Sequence, residues 1–355
     1  MARPTQPRRR RTTRDIEDLP NLFDSVEIDM TRHDIAGEVI DRERARQRVR
    51  ASADASDQSI EINTEALKRP EAIRFMSFGS GSSGNCAYIG TKRAGLLIDA
   101  GVDGKFVEKS LKDNGIDPAS IAGILLTHDH SDHVRFAYQL LRSNKHFLLY
   151  CTPRSLSGLL RRHSISRRIK DYHKPIYKEI TFEAAGFSIT AFETSHDGSD
   201  NMGFAINRGK HHFVVATDTG VITERADHYM QQANYIMLES NYDRRMLMNG
   251  RYPEYLKARV ASDRGHLDNV DAAAYVRGLL AGVSSGIVPA LTHIFLCHLS
   301  EENNTPEIAL REMRRAVEET GRTVGDASGS PVSRAADIQI AALPRFAVSP
   351  LYIFR

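Results

Sequence analysis

Residues 122–134, AGILLTHDHSDHV, carry an apolar run into His128, His130, Asp132 and His133. Side chains two residues apart on an extended segment point the same way, so His128 and His130 can hold one metal ion together. The chain must then turn, and Asp132 and His133 can face a second ion from the opposite side. Imidazole nitrogens mixed with carboxylate oxygens suit zinc, and less exclusively manganese or iron. Matching groups recur downstream: His196 in FETSHDGSDNMGFAI, Asp218 in HHFVVATDTG and His298 in THIFLCHLSEENN. Asp218 and His298 end apolar, β-rich runs and His196 comes just after one, at loop positions above a rigid sheet where function concentrates. Taken singly, Asp218 could cap a helix through VITERADHY, and His196 or His298 could be an ordinary turn histidine. The ordered set favours metal.

Other residues fit a phosphate near such ions. His266 lies in GHLDN, at the start of a helical pattern where peptide dipoles favour an anion. Ser82, Ser83 and Asn85 sit in a Gly/Ser/Asn loop, SFGSGSSGNCAYIG, that can present backbone N–H groups. Residues 154–178 hold eight Lys/Arg against the single acid Asp171. Helical spacing in SLSGLLRRH reserves an apolar face for packing, so its arginines must face outward, and Arg161, Arg162, Arg167 and Arg168 are the candidate nucleic-acid contacts. Such a stripe attracts a polyanion without sequence specificity and with strong salt dependence; the alternative is a solubilising surface. A second basic stretch, from Arg244 to Arg264, leads into His266. The few tyrosines of the two stretches are not read as an interleaved platform for stacking on single-stranded bases.

The elements that must position these groups follow from periodicity. Strand signals fall at about 73–78, 86–90, 95–99, 122–127, 147–151, 179–192, 202–207, 212–217, 234–239 and 292–297. Helical patterns fall near 103–114, 131–143, 153–163, 268–282 and 305–320. Asp268 or Asn269 can cap the fourth, and Thr305-Pro306 opens the fifth. So many strands with so few helices predict an α/β (α+β layered) domain with two β-sheets packed face to face and helices outside.

The folded part is expected to span 71–355, a length that supports one substantial core. Residues 1–70 are a different material. MARPTQPRRRRTTR carries six arginines and no acid, and residues 15–41 hold nine acids against Arg32. Apolar residues there are sparse and aperiodic, which predicts a disordered tail with a charged helix around 34–50. The acids from Asp15 onward argue against a transit peptide. The tail is read as a solvated appendage, with a nucleic-acid tether as the sharper alternative. Cys86, Cys151 and Cys297 are widely spaced and odd in number, which favours reduced thiols in the cytoplasm over a disulfide framework. Cys297 adjoins His298 but lies in an apolar strand, where a buried structural thiol is expected. No run approaches the roughly 18–20 apolar residues that cross a bilayer, so no membrane partner is expected.

The ordered pattern HxHxDH…H…D…H resembles the metallo-β-lactamase-fold superfamily of binuclear hydrolases over roughly residues 72–355. The segments LLIDAG, LESNYDRRMLMNGRYPEYLKARVASDRGHLDN and CHLSEENNTPEIAL narrow the resemblance to the YycJ (WalJ) nuclease branch, related to ribonuclease Z and to cyclic phosphodiesterases. The resemblance implies an αββα sandwich with two mixed sheets flanked by helices; no large appended domain of the kind seen in other nuclease branches is read in the sequence, so a minimal enzyme is expected. The same resemblance implies two divalent metal ions per chain, zinc first and manganese second. One would sit on His128, His130 and His196, the other on Asp132, His133 and His298, with Asp218 bridging. It also implies that His266 contacts the scissile phosphate or protonates the leaving oxygen.

Metal-assisted phosphodiester hydrolysis is the expected chemistry, with Asp132 as ligand and acceptor of the nucleophile's proton. The implied activity is that of a DNA nuclease, a 5′-to-3′ exonuclease on duplex DNA. A cyclic phosphodiesterase would use the same metals but leave the 154–178 segment idle. Thioester or β-lactam hydrolysis would not call for a histidine such as His266.

Overall fold

Residues 71–282, 290–327 and 329–355 are described by the structure, a computed structural model. The expectations for residues 1–70 lie outside them. The described residues all fall in one unit. Strand β1 (Ile73–Gly79) is followed by β2 (Cys86–Gly90), β3 (Gly95–Ile98), β4 (Ile121–Leu125), β5 (Leu148–Cys151) and β6 (His173–Pro175). Next come β7 (Phe182–Ala184), β8 (Phe187–Glu193), β9 (Met202–Arg208), β10 (His211–Ala216) and β11 (Tyr235–Glu239). The last are β12 (His293–Cys297), β13 (Val324–Gly325), β14 (Ile338–Ala342) and β15 (Tyr352–Phe354).

These form two mixed sheets, in the orders β15-β1-β2-β3-β4-β5-β6 and β13-β14-β12-β11-β10-β9-β8-β7. In the first, β3 to β6 run parallel; in the second, β10, β11, β12, β14 and β13 do. Strands covered on both faces read as unbroken apolar runs, and β11 (YIMLE) is buried at every position.

One core lies between the sheets. Phe75 of β1 places its ring 4.8 Å from Phe213 of β10 and 4.9 Å from Phe295 of β12, joining the layers. A second core packs Leu97, Ile124 and Leu149 under helices Gly104–Asp113, Ala137–Ser143 and Pro153–Arg162. A third packs Val214, Ile236 and Ile294 under helices Glu224–Met230, Asn269–Leu280 and Pro306–Glu318. The result is the expected αββα sandwich. No helix among the described residues is long and apolar enough to cross a membrane.

Several details depart from the periodicity. The run expected as one strand over 179–192 folds back at Ala185-Gly186, both at positive φ, to make the β7–β8 hairpin. The helix expected over 131–143 is broken between Ser131–Val134 and Ala137–Ser143, where Phe136 N donates to Ala100 O instead of staying in the helical ladder. Helix Glu224–Met230 is capped by Thr223, which removes the capping alternative for Asp218. Asp268 and Thr305 cap their helices as expected.

Parallel pairing has a direct consequence for chemistry. It brings the C-terminal ends of β3 and β4 from one sheet to the same rim as those of β10, β11 and β12 from the other. Crevices outside the carboxyl ends of parallel strands are where open α/β sheets bind ligands.

Candidate metal centre

The chain leaves those strand ends abruptly. Asp99 after β3, Asp218 after β10 and His298 after β12 have φ of 61°, 51° and 52°. Non-glycine residues hold this left-handed conformation at a cost of roughly 1–3 kcal/mol each, so surrounding bonds must fix it. Thr217 Oγ1 donates to Asp218, and His298 N donates to Ser80 Oγ at 2.9 Å. Asp99 accepts from Thr127 N at 2.8 Å.

The structure brings His128, His130, Asp132, His133, His196, Asp218 and His298 into one cluster. Ligand atoms of His128, His130 and His196 lie within 4.8 Å of one another, as do those of Asp132, His133 and His298. Asp218 stands between the trios. Its Oδ2 is 3.6 Å from His196 Nε2 and 3.8 Å from His128 Nε2. Its Oδ1 is 3.4 Å from His133 Nε2 and 3.6 Å from His298 Nδ1. His128, His133, His196, Asp218 and His298 are all buried, whereas His130 and Asp132 face partly outward.

Each imidazole engages one nitrogen with an acceptor. Nδ1 of His128 meets Thr127 Oγ1 at 3.0 Å, whose own proton goes to Asp99. Nδ1 of His133 meets Asp99 Oδ2 at 2.7 Å, and Nδ1 of His196 meets Gly265 O at 2.8 Å. Nδ1 of His298 meets Glu239 Oε1 at 2.9 Å, and Nε2 of His130 meets Asp197 Oδ1 at 3.2 Å. In His128, His130 and His196 the second nitrogen is thereby left as a lone pair, the form a metal needs, while the second nitrogens of His133 and His298 face Asp132 Oδ2. His128 Nε2 is the sharpest case: it is buried without a hydrogen-bond partner among the described residues. The donor set therefore fits divalent cations.

Electrostatics agree. Burial, reinforced by the neighbouring imidazoles, holds His128 well below its usual pKa and His130 at about 4, so both are neutral donors. Burial also opposes charge on Asp218 and Asp132, but the facing histidines outweigh it and keep both carboxyls ionised. Burial pushes His298 down, yet Asp218, Asp132 and Glu239 overcome it and hold it at about 10. A pocket that favours positive charge this strongly is one that a cation would occupy.

Glu239, at the end of β11, is not among the site residues expected from sequence. Its buried carboxylate accepts from Nδ1 of both His266 and His298, and from the backbone N of Thr219 at 2.7 Å. Asp99, Thr127 and Asp197 are likewise additions. All four are strand-end or loop residues inside segments that look ordinary one residue at a time.

His266 sits beside the cluster, 4.0 Å from Asp218 Oδ2 through Nδ1, and lines a cleft of about 200 Å³ with Ser82, His130, Asp132 and Arg259. Ser82 is exposed and Ser83 half-buried on the same loop. Asn85 turns inward instead. It is 4% exposed, and its amide meets Gly81 O, Asp132 Oδ2 and His133 Nε2, so it braces Asp132 and His133 and does not face the open cleft. Gly101 completes this support, because a Cβ there would come 1.5 Å from the Asp132 carbonyl oxygen. Arg161, Arg162, Arg167 and Arg168 are exposed. Arg162 reaches Asp129 Oδ2 at 3.5 Å, which ties the basic segment to the loop between His128 and His130. Cys297 is buried, and burial raises its thiol pKa well above the usual value.

Comparison with known proteins matches residues 95–287 to the β-lactamase superfamily domain. The chain is 34% identical over 257 residues to the exodeoxyribonuclease YycJ of Bacillus anthracis, covering 72% of this chain and 93% of that protein. It is 30% identical to the exodeoxyribonuclease WalJ of Streptococcus pneumoniae, covering 71% and 91%. Among solved structures it superposes on the metallo-β-lactamase-fold protein YhfI of Bacillus subtilis with a TM-score of 0.56 at 14% identity, covering 80% and 100%. Zinc-bound PqqB of Methylobacterium extorquens superposes with a TM-score of 0.55 at 16% identity, covering 78% and 99%. These two likenesses speak for the fold.

Proposed function

The chain belongs to the metallo-β-lactamase-fold superfamily, in the branch of YycJ- and WalJ-type exodeoxyribonucleases, and from that premise we propose that it hydrolyses DNA phosphodiesters, acting from the 5′ end of a duplex. The observation that carries this reading is the pair of ligand trios joined by Asp218. His128, His130 and His196 would hold one divalent cation, and Asp132, His133 and His298 the other, with zinc first and manganese second. When bound, such ions make water a competent nucleophile near neutral pH and offset charge on the attacked phosphate.

The remaining steps fall to this chain's own groups. Asp132, at the edge of the cleft, accepts the proton released by the nucleophile. His266, fixed through Nδ1 by Glu239, turns Nε2 toward the leaving oxygen and supplies its proton. Ser82 and Ser83 contact phosphate from the loop above. Arg161, Arg162, Arg167 and Arg168 hold the backbone of the bound nucleic acid beside the cleft. Three buried free thiols fit the reducing cytoplasm, which we propose as its location.

Small cyclic phosphodiesters are the competing substrates, and neither relative's name favours them. The test is to incubate metal-loaded protein with end-labelled duplex DNA, a bis-nitrophenyl phosphate and cyclic nucleotides. Mononucleotide release from the 5′ label supports the reading. Cyclic nucleotide turnover with intact DNA would replace it.

A further inference from the structure

The Ser82–Gly84 loop has two sides. Ser82 lines the metal cleft, while Ser83 and Gly84 wall a second hollow of about 250 Å³. The phenyl rings of Phe106, Phe136 and Phe346 line that hollow, together with Arg345. Phe106 is 39% exposed and Phe346 64%, so apolar faces are offered to solvent beside a polar, charged centre. The rings come from three distant segments, and no single stretch of sequence contains this platform.

Arg345 lines the hollow beside Phe346. Its stem lies against Gly81, where a Cβ would come 2.7 Å from Cγ, and its guanidinium carbon is 6.0 Å from the Phe346 centroid. Its Nη1 is buried and has no hydrogen-bond partner among the described residues. A buried donor without an acceptor is costly unless something arrives to accept. The hollow also shares a wall with the metal side: Gly101 lines it and packs directly on the Asp132 carbonyl, which accepts from Asn85 N at 2.8 Å.

We propose that this hollow receives one unpaired nucleobase of the DNA strand being cut, next to the scissile phosphodiester. The proposal rests on the nuclease reading. Asp218 and His196 are each 2% exposed, so an end whose terminal base is unpaired brings its phosphate closer to them than a fully paired one. Unpairing costs a few kcal/mol, and a site that stacks the freed base recovers part of it. Phenyl faces do so with any base, as a sequence-tolerant exonuclease requires. Arg345 supplies a donor for a base carbonyl or the adjoining phosphate. The volume falls below the roughly 300–1,000 Å³ of clefts for larger ligands, which suits a single ring system.

The full-length, metal-loaded protein is given end-labelled duplexes carrying one abasic nucleotide at successive positions from the cut end. Removal slows roughly tenfold at one position only, the size expected for a single base–aromatic stack. Phe346→Ala slows intact DNA by a similar factor, mainly through KM, and erases that positional effect; Phe346→Tyr restores it. Hydrolysis of a bis-nitrophenyl phosphate is unchanged in both. In a His266→Ala background, 2-aminopurine at the identified position is quenched on binding, and adding Phe346→Ala abolishes the quenching. A flat abasic scan by a protein that does cleave DNA overturns the inference and leaves the nuclease reading standing. So does parent-like quenching in Phe346→Ala, which would leave the exposed rings as a surface for some other partner. Failure of the parent to cleave any DNA overturns the nuclease reading and the inference with it.

Discussion

Nδ1 of His266 donates to Oε1 of Glu239 across 2.7 Å, with that carboxylate fully buried at the end of β11. The bond fixes which nitrogen of His266 carries the inward proton and leaves Nε2 for the cleft. Burial opposes charge on Glu239, but His266 and His298 outweigh it and keep the carboxylate ionised. Glu239 therefore couples a residue beside the substrate cleft to His298, in one of the ligand trios.

His266→Ala is expected to keep its metal and its fold, because His266 belongs to neither trio. Its kcat on DNA falls by roughly 10²–10⁴, the range for a positioned proton donor. The deficit is clearly smaller on a bis-nitrophenyl phosphate, whose leaving group needs little protonation. Single-turnover rates on the two substrates check this, and equal losses would reduce His266 to electrostatic stabilisation. Loss of a metal equivalent would place it among the ligands.

His128→Ala is expected to lose metal along with activity. Its Nε2 is buried with no hydrogen-bond partner among the described residues, so removing it takes away a donor the cluster holds free. Elemental analysis of the purified variant would show less than the parent's metal content. A full complement would remove His128 from the ligand set.

Neutralising Arg161, Arg162, Arg167 and Arg168 together should weaken DNA binding and flatten its salt dependence by roughly 0.9 for each phosphate they no longer neutralise. Turnover of a small phosphodiester should change little. Binding isotherms at several salt concentrations decide it. A parent-like affinity and slope would make this segment a solubility face.

The contrast between these residues explains what is legible in the sequence. The trios and Asp218 stand out because each is a metal-binding residue type at the end of, or just after, an apolar strand, and the parallel sheets then gather them. Glu239 and Asp99 share that placement, but a single acid after a strand has no spacing partner to mark it. In the sequence Asn85 is one more polar loop residue, and only the fold shows it turned inward against Asp132 and His133. Strands β6, β13 and β15 leave no readable signal because runs of two or three residues carry little period. The phenyl hollow is legible only in three dimensions.

A pH dependence of stability is expected away from the metal cluster. Burial holds His293, packed beside Tyr235 and Phe354, at a pKa of about 4. The unfolded chain has about 6.5, so above that value the ring is neutral in both states and contributes no slope. As pH falls from 6.5 to 4 only the unfolded state takes up the proton, and stability drops by up to about 3 kcal/mol. Denaturant unfolding across this range should show a shallower acid-side loss in His293→Phe. An unchanged slope would mean that His293 titrates normally in the folded protein.

Metal titration decides whether the clustered donors hold the ions that cut DNA. The full-length protein is stripped with a chelator, and its release of 5′-labelled nucleotides from duplex DNA is followed as zinc or manganese is returned. The account predicts no release from the stripped protein and recovery that levels off at two equivalents per chain, with Asp218→Ala failing to reach that plateau. Undiminished digestion by the stripped protein, or two full equivalents retained by Asp218→Ala, would contradict it.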